Sequence, residues 1–256
     1  KSTLYESYNR ALKGQTNLEP FDEWIIQLRE TGYLHNHARM WFASIWIHYF
    51  GLPWELGANF FYENLLDADI ASNTLSWKWV AGLQTLGKKY LATKENIVKY
   101  SLASYKSFVL PKLKDINFNY IRYEMNEINF NKKNTINKNK KNVLFVLENN
   151  LNFDFIKNNI SKDFIVILLK IDISNIKKNM ISKKFQDQCN TDLLDLCKKY
   201  KITCKTFNIS TSFSELINYL LNENIYNTYS EYITIGYERD IITKLILTLK
   251  NNRISY

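Results

Sequence analysis

The stretch LLDADIASNTLSWKWVAG (65–82) decides how the chain is read. Asp67 or Asp69 can cap the helix that follows, since a carboxylate before the first turn accepts from its unpaired N–H groups. On that helix Asp69, Asn73 and Trp77 stand at i, i+4 and i+8 and share one face. Upstream, TGYLHNHARMWF (31–42) puts Asn36, Arg39 and Met40 at i, i+3 and i+4, again on one face. An Arg and an Asn inside an apolar helix are costly to bury unless each finds a partner. The acidic residues of 65–82 supply such partners. Two assignments stay open on the residues alone. One is a buried Arg39–Asp67 ion pair with Asp69 as helix cap. The other is a polar site beside Trp77 and Trp79, where aromatic rings next to Arg, Asp and Asn clamp a flat, anionic ring.

Working outward, PFDEWIIQLRE (20–30) carries Phe21, Trp24, Ile25 and Leu28 at helical spacing and stops at Gly32. LHNHARMWFASIWIHYF (34–50) is apolar on nearly every face from Met40 onward, as in an interior helix. Gly51 ends it and Pro53 opens PWELGANFFYENLL (53–66). No segment of this half alternates with period two, so residues 1–111 are expected to form an all-helical domain. The pattern then changes. NVLFVLE (142–148) and FIVILLKI (164–171) are short continuous apolar runs, as in buried parallel strands. KITCKTFNI (201–209) and EYITIGY (231–237) fit two more strands, with helical patterns at 182–200, 213–223 and 239–250. Residues 142–256 are therefore expected to form a small open α/β sheet domain of Rossmann-like type. The fold class is α followed by α/β. Between the two, 112–141 reads as a basic Asn/Lys-rich linker, with NFNKKNTINKNKKN (129–142) at its end.

Composition bounds the chemistry. With 256 residues, 46% hydrophobic, and 6 Trp, 17 Tyr and 15 Phe, the chain has a sizeable core to bury and is not mainly disordered. No apolar run reaches the roughly 18 residues of a membrane span. The first residue is Lys1 and no secretory signal is visible, so the sequence is expected to be a piece of a longer protein. Cys189, Cys197 and Cys204 show no CxxC spacing and read as reduced thiols of a cytoplasmic protein. His35 and His37 would stand about 200° apart on a helix, which excludes joint chelation, and no metal is expected. No glycine-rich phosphate loop and no nucleophile elbow is present. The net charge of +9 favours a polyanionic partner. Residues 111–256 carry +8 of it, from 23 Lys/Arg against 15 Asp/Glu.

Taken in order, GQTNLEPFDEW (14–24), TGYLHN-x-x-RM, W-x-x-G and LLDAD-x-x-x-N-x-x-x-W-x-W resemble the FAD-binding helical domain of the DNA photolyase and cryptochrome family. The resemblance runs from Gly14 to Gly82 and implies a role for each matching position. Arg39 and Asp67 match the ion pair beside the isoalloxazine ring, Asp69 the acceptor for its pyrimidine edge, and Asn73 the residue facing flavin N5. Asn36, Met40 and Trp79 match the lesion pocket, and Asn36, where the (6-4) enzymes carry His, points to cyclobutane dimers. Trp77 and Trp54 match the inner two members of the tryptophan chain that photoreduces the flavin. The third member would fall at or before Lys1.

The implied function is light-driven, FAD-dependent repair of cyclobutane pyrimidine dimers in DNA by a monomeric enzyme without membrane contact. Its catalytic residues would be Trp77, Trp54 and Asn73. The alternatives are a cryptochrome-like blue-light photoreceptor that binds FAD without repair, and a chain that keeps the helical packing alone. The sequence departs from the family where KKYLATKEN (88–96) replaces an Arg-x-Phe-Asn-Pro segment. It departs again in placing its α/β unit after the helical one, which leaves any antenna chromophore unassigned.

Overall fold

The computed structural model describes residues 3–85, 88–101, 105, 107–116, 118, 141–160, 164–171, 178–210, 212–232 and 236–256. The chain divides into a unit of Lys1–Tyr123 with Lys178–Lys183 and a unit of Glu124–Lys177 with Lys184–Tyr256. The first is helical and the second is built on a parallel sheet. Of the expected linker, positions 117 and 119–140 lie outside the described residues.

The helical unit runs α1 (Thr3–Leu12), α2 (Glu19–Thr31), α3 (Asn36–Ser44), a π-helical turn (Ile45–Tyr49), α4 (Trp54–Asn64), α5 (Ile70–Ala81) and α6 (Lys94–Tyr100). α2 follows its sequence pattern: Phe21, Trp24, Ile25 and Leu28 are buried, and Gly32 closes it at φ 69° with its N–H on the Leu28 carbonyl. That left-handed cap is the conformation glycine adopts without a Cβ clash.

The single helix expected over 34–50 is corrected in two ways. His35 stands outside α3 and caps it, its ring nitrogen accepting from the His37 N–H. Residues 45–49 wind as a π turn, with Phe50 N–H on the Ile45 carbonyl at 3.0 Å. All five residues of the turn are buried, and three are tied to different neighbours. Trp46 Nε1 donates to the Pro53 carbonyl (2.9 Å), His48 Nε2 meets the Val80 carbonyl (2.9 Å), and the Tyr49 hydroxyl donates to the Ala92 carbonyl.

α1 and α6 are helices that the sequence reading did not assign, although α1 carries Leu4, Tyr8, Ala11 and Leu12 at helical spacing, with Ala11 buried, Tyr8 and Leu12 packed against the core and the Tyr8 ring on Trp46. α6 is short and buries Ile97 alone.

Phe42 sits at the hub of the core. Its ring centroid lies 4.5 Å from Phe21, 4.9 Å from Phe61 and 6.3 Å from Trp77. α4 and α5 meet at Gly57, where a Cβ would fall 2.2 Å from the Trp77 ring and 3.0 Å from Trp46 Nε1. The glycine of W-x-x-G thus has a packing cause: the indole of Trp77 lies directly on the α4 backbone. The end of α4 is closed from far along the chain. Asn179 N–H donates to the Glu63 carbonyl (2.8 Å) and Ser182 Oγ to that of Asn64 (3.0 Å), satisfying groups a helix end leaves open.

The second unit is β1 (Asn142–Leu147), α7 (Phe153–Asn159), β2 (Phe164–Lys170), α8 (Met180–Lys199, whose first turn through Lys183 belongs to the helical unit), β3 (Cys204–Asn208), α9 (Ser214–Asn222), β4 (Asn227–Ser230) and α10 (Tyr237–Asn251). The strands are parallel in the order β3-β2-β1-β4. β1 is buried at every position because both its faces are covered, which explains its unbroken apolar run. Val143, Phe145, Ile167 and Phe207 pack with Leu216, Ile242 and Leu245 on one face. Leu144, Val146, Val166 and Leu168 pack with Ile156, Leu193 and Cys197 on the other.

The described fourth strand is Asn227–Ser230. Of the expected 231–237, Glu231 and Tyr232 follow that strand, Tyr237 opens the last helix, and 233–235 lie outside the described residues. β4 is polar in sequence (NTYS), and its other side is covered by Ser255, which exchanges backbone bonds with Tyr226 and Thr228. α7 was not legible either, having one buried residue, Ile156.

Two outcomes follow from this packing. Gly57→Ala gains helix propensity of up to about 1 kcal/mol, yet the overlap with Trp77 makes it a net loss of about 1–3 kcal/mol. Urea unfolding followed by tryptophan fluorescence checks this, and an unchanged or raised midpoint would contradict the contact. Burial of His48 (2% exposed) pushes its imidazole below the usual 6.5. Its folded value is therefore below its unfolded one, so its stabilisation is present above the unfolded value and fades as pH falls toward the folded one. The helical unit's thermal midpoint should therefore fall as the pH is lowered below about 6.5. His48→Gln, which keeps a donor for Val80, should flatten that drop.

Candidate functional site

α3, the 65–69 turn and α5 together enclose a cavity of about 520 Å³ in the helical unit. This lies within the usual range for small-molecule sites, roughly 300–1,000 Å³. Asn36, Arg39, Met40, Asp67, Asp69, Asn73, Trp77 and Trp79 all line it. The i, i+3, i+4 face of α3 and the i, i+4, i+8 face of α5 thus meet as their spacing predicts. Trp54 does not line the cavity. It stands in the first turn of α4, with the Lys78 ammonium 5.7 Å over its ring.

Arg39 is fixed from three sides. Its Nε donates to the Leu34 carbonyl at 2.7 Å, its Nη2 to Asp67 Oδ2 at 3.0 Å, and its guanidinium lies 5.7 Å over the Tyr33 ring. The pair is not buried, with side-chain exposures of 24% for Arg39 and 61% for Asp67. The purely structural assignment is corrected to that extent: the ion pair exists, but on a cavity wall. Asp69 does cap α5, its Oδ1 accepting from Ser72 N–H at 2.7 Å. Asn73 Nδ2 donates to the Ala58 carbonyl at 2.7 Å, which fixes the orientation of the amide.

The other walls are apolar. Ala43, Phe61, Leu65 and Val80 line the cavity beside Trp77, whose ring also packs edge-on against Phe42, Trp46 and Phe61. At the opposite extreme Trp79 is 39% exposed and stacks on Tyr90 at 5.4 Å. Asn36 Nδ2 reaches Met40 Sδ at 3.9 Å.

The arrangement is a polar, partly cationic rim over an aromatic and aliphatic wall. It fits a planar heteroaromatic ring with one polar edge and a tendency to carry negative charge, as an isoalloxazine has. Among the described residues no group of His, Cys, Asp and Glu could hold a metal ion. No helix of the described residues is long and apolar enough to cross a membrane. Cys189, Cys197 and Cys204 are free thiols.

Sequence reasoning missed Tyr90, which backs Trp79 from within the divergent 88–96 stretch, and Trp46, which touches Trp77 from the π turn. Trp46 lies in a segment apolar on all faces, so periodicity gives it no direction.

Comparison with known proteins agrees with the geometry. Residues 3–152 match the family model described as the FAD binding domain of DNA photolyase. The chain is 38% identical over 77 residues to a deoxyribodipyrimidine photo-lyase of Agrobacterium fabrum, covering 30% of this chain and 16% of that protein. It is 33% identical over 84 residues to a cryptochrome DASH of Idiomarina loihiensis, covering 32% and 19%. To cryptochrome-1 of Arabidopsis thaliana it is 35% identical over 78 residues, covering 30% and 12%. The matched region thus spans less than a fifth of each of these relatives. No solved structure matches the chain. With more than half of its length matched by the family model and all the candidate site residues but Trp54 lining one cavity, the chain belongs to the DNA photolyase and cryptochrome family, whose FAD-binding domain it carries.

Proposed function

We propose that the chain is the flavin-carrying part of a light-driven enzyme that repairs cyclobutane pyrimidine dimers in DNA. The observation that carries this reading is the shared cavity, in which Arg39, Asp69 and Asn73 stand with Trp77 while Asn36, Met40 and Trp79 line the same space. Bound FAD supplies the light-absorbing, electron-donating ring.

The chain's own residues do the rest. Arg39, held by Asp67 and the Leu34 carbonyl, offsets negative charge in a site that costs no reorganisation when that charge develops. Asp69 offers a carboxylate to a pyrimidine-type N–H. Asn73 presents a neutral amide rather than an acid, so it holds the ring without acting as a proton donor to it as a carboxylic acid would. Trp79, stacked on Tyr90 and exposed, forms a platform for an unstacked base. Some relatives are named cryptochromes, so a photoreceptor without repair activity is the competing reading. Lesion binding separates the two.

Purified chain supplied with FAD should show a flavin spectrum. Arg39→Leu should lower flavin retention at least tenfold, about 1.4 kcal/mol; full retention would remove Arg39 from the site. Trp79→Ala should weaken binding of dimer-containing single-stranded DNA by about 1–3 kcal/mol and leave the flavin spectrum unchanged. Blue light with a reductant should then restore the thymine absorbance of such DNA. A flavin-loaded chain that binds damaged and undamaged DNA alike, and restores nothing, supports the photoreceptor reading.

A further inference from the structure

Two of the three cysteines are brought together where α8 ends. Ile202 N–H donates to the Cys197 carbonyl at 2.8 Å and Lys201 N–H to the Lys198 carbonyl at 3.1 Å, with Lys201 left-handed at φ 59°. This is the Schellman pattern, which closes a helix and turns the chain back past its last turn. Cys204 follows as the first residue of β3. Its register partner on β2 is Val166, and residues in register across a pleated sheet share a face. Val166 packs with Leu193 and Cys197 of α8, and Cys204 packs against the same cluster. There the two thiols meet as hydrogen-bond partners, the Cys204 S–H donating to the Cys197 sulfur.

The surroundings distinguish this pair from the third thiol. β3 is the edge strand, with β2 as its one strand neighbour, and Cys204 is half-buried there while Cys197 lies buried behind it. The hydrogen bond holds the Cys197 thiol below its usual range against the opposite effect of burial. The pair therefore gives up its first proton more readily than an isolated buried thiol does. Cys189 lies about two turns earlier on α8, where burial and the Asp192 carboxylate hold its thiol above the usual range.

We infer that Cys197 and Cys204 form a redox site, a dithiol that peroxide converts into a reversible disulfide clasping the end of α8 to the edge strand β3. The inference is independent of the flavin reading. One sulfur of the pair, as thiolate, attacks a peroxide oxygen; the O–O bond breaks and leaves a sulfenic acid and hydroxide. The other sulfur attacks the sulfenic sulfur, forming the S–S bond as the S–O bond breaks and a second hydroxide departs. The two thiol protons and the two hydroxides become water, and the two electrons lost by sulfur are those that peroxide gains. A small dithiol reverses the step by exchange and is itself oxidised to a disulfide. The new bond closes the short loop 197–204, which the turn already holds in place, and fastens a strand that otherwise pairs on one side.

The test exposes the folded full chain to hydrogen peroxide, alkylates the remaining thiols, and reads intact mass, peptide map and backbone hydrogen exchange. The parent should lose two hydrogens, yield a peptide linked through Cys197 and Cys204, exchange several-fold more slowly over 204–208, and revert with dithiothreitol. Cys189→Ser should behave as the parent does. Cys204→Ser and Cys197→Ser should form no disulfide within the chain. Should Cys197→Ser fail to fold, the peptide map of the parent and Cys204→Ser still decide the matter. A disulfide that includes Cys189, bonds formed between chains alone, or oxidation to sulfinic acid without an S–S bond overturns the assignment. Unslowed exchange over 204–208 in the linked chain overturns the clasp.

Discussion

The missing side chain of Gly57 is the constraint on which the helical unit depends. It brings α4 and α5 close enough for the Trp77 indole to lie on backbone, and it lets the Trp46 indole reach the same point. Trp77 then has a fixed position from which Phe42 and Phe61 radiate. Because α5 is held by its buried edge, its opposite edge has a defined height above α3, and a cavity opens between Arg39 and Asn73 instead of closing by collapse. A core that is packed like a crystal on one side thus leaves a shaped gap on the other.

The Arg39–Asp67 pair illustrates how that gap is lined at little energetic cost. A fully buried pair has to repay several kcal/mol of desolvation for each ion. A pair with one partner largely exposed escapes most of that cost and contributes about 0–1 kcal/mol to stability. Its effect is positional: the guanidinium is held by a carboxylate, a carbonyl and a ring face. The positive charge therefore stays on the wall whether or not a ligand faces it.

How much of this was legible depends on where the physics leaves a mark in the sequence. The polar faces of α3 and α5 were legible because Asn36, Arg39, Asp69 and Asn73 interrupt apolar surroundings at helical spacing. β1 and β2 were legible because burial on both faces demands continuous apolar runs. β4 was not: its NTYS is polar, and its pairing is fixed by the backbone of Asn142–Phe145 on one side and Ser255 on the other. Trp46 escaped for the opposite reason, since a segment apolar on all faces gives no direction to any residue in it. The partners of Trp79 and Trp46, Tyr90 and Tyr8, are long-range contacts that no local pattern encodes.

The π turn at Ile45–Tyr49 has a consequence for how this sequence tolerates insertion and deletion. A π turn is an α-helix with one residue too many. Deleting one of the five would restore regular winding, and each residue beyond the cut would rotate by about 100° relative to α3. His48 would leave Val80, Tyr49 would leave Ala92, and the Gly51–Pro53 turn would set α4 off at the wrong angle. The extra residue is thus a phase correction: it reconciles a helix that faces the cavity through Arg39 with a turn that must deliver α4 beneath Trp77. A related chain with the same motifs but one residue fewer between Met40 and Trp54 would have to recover that phase elsewhere.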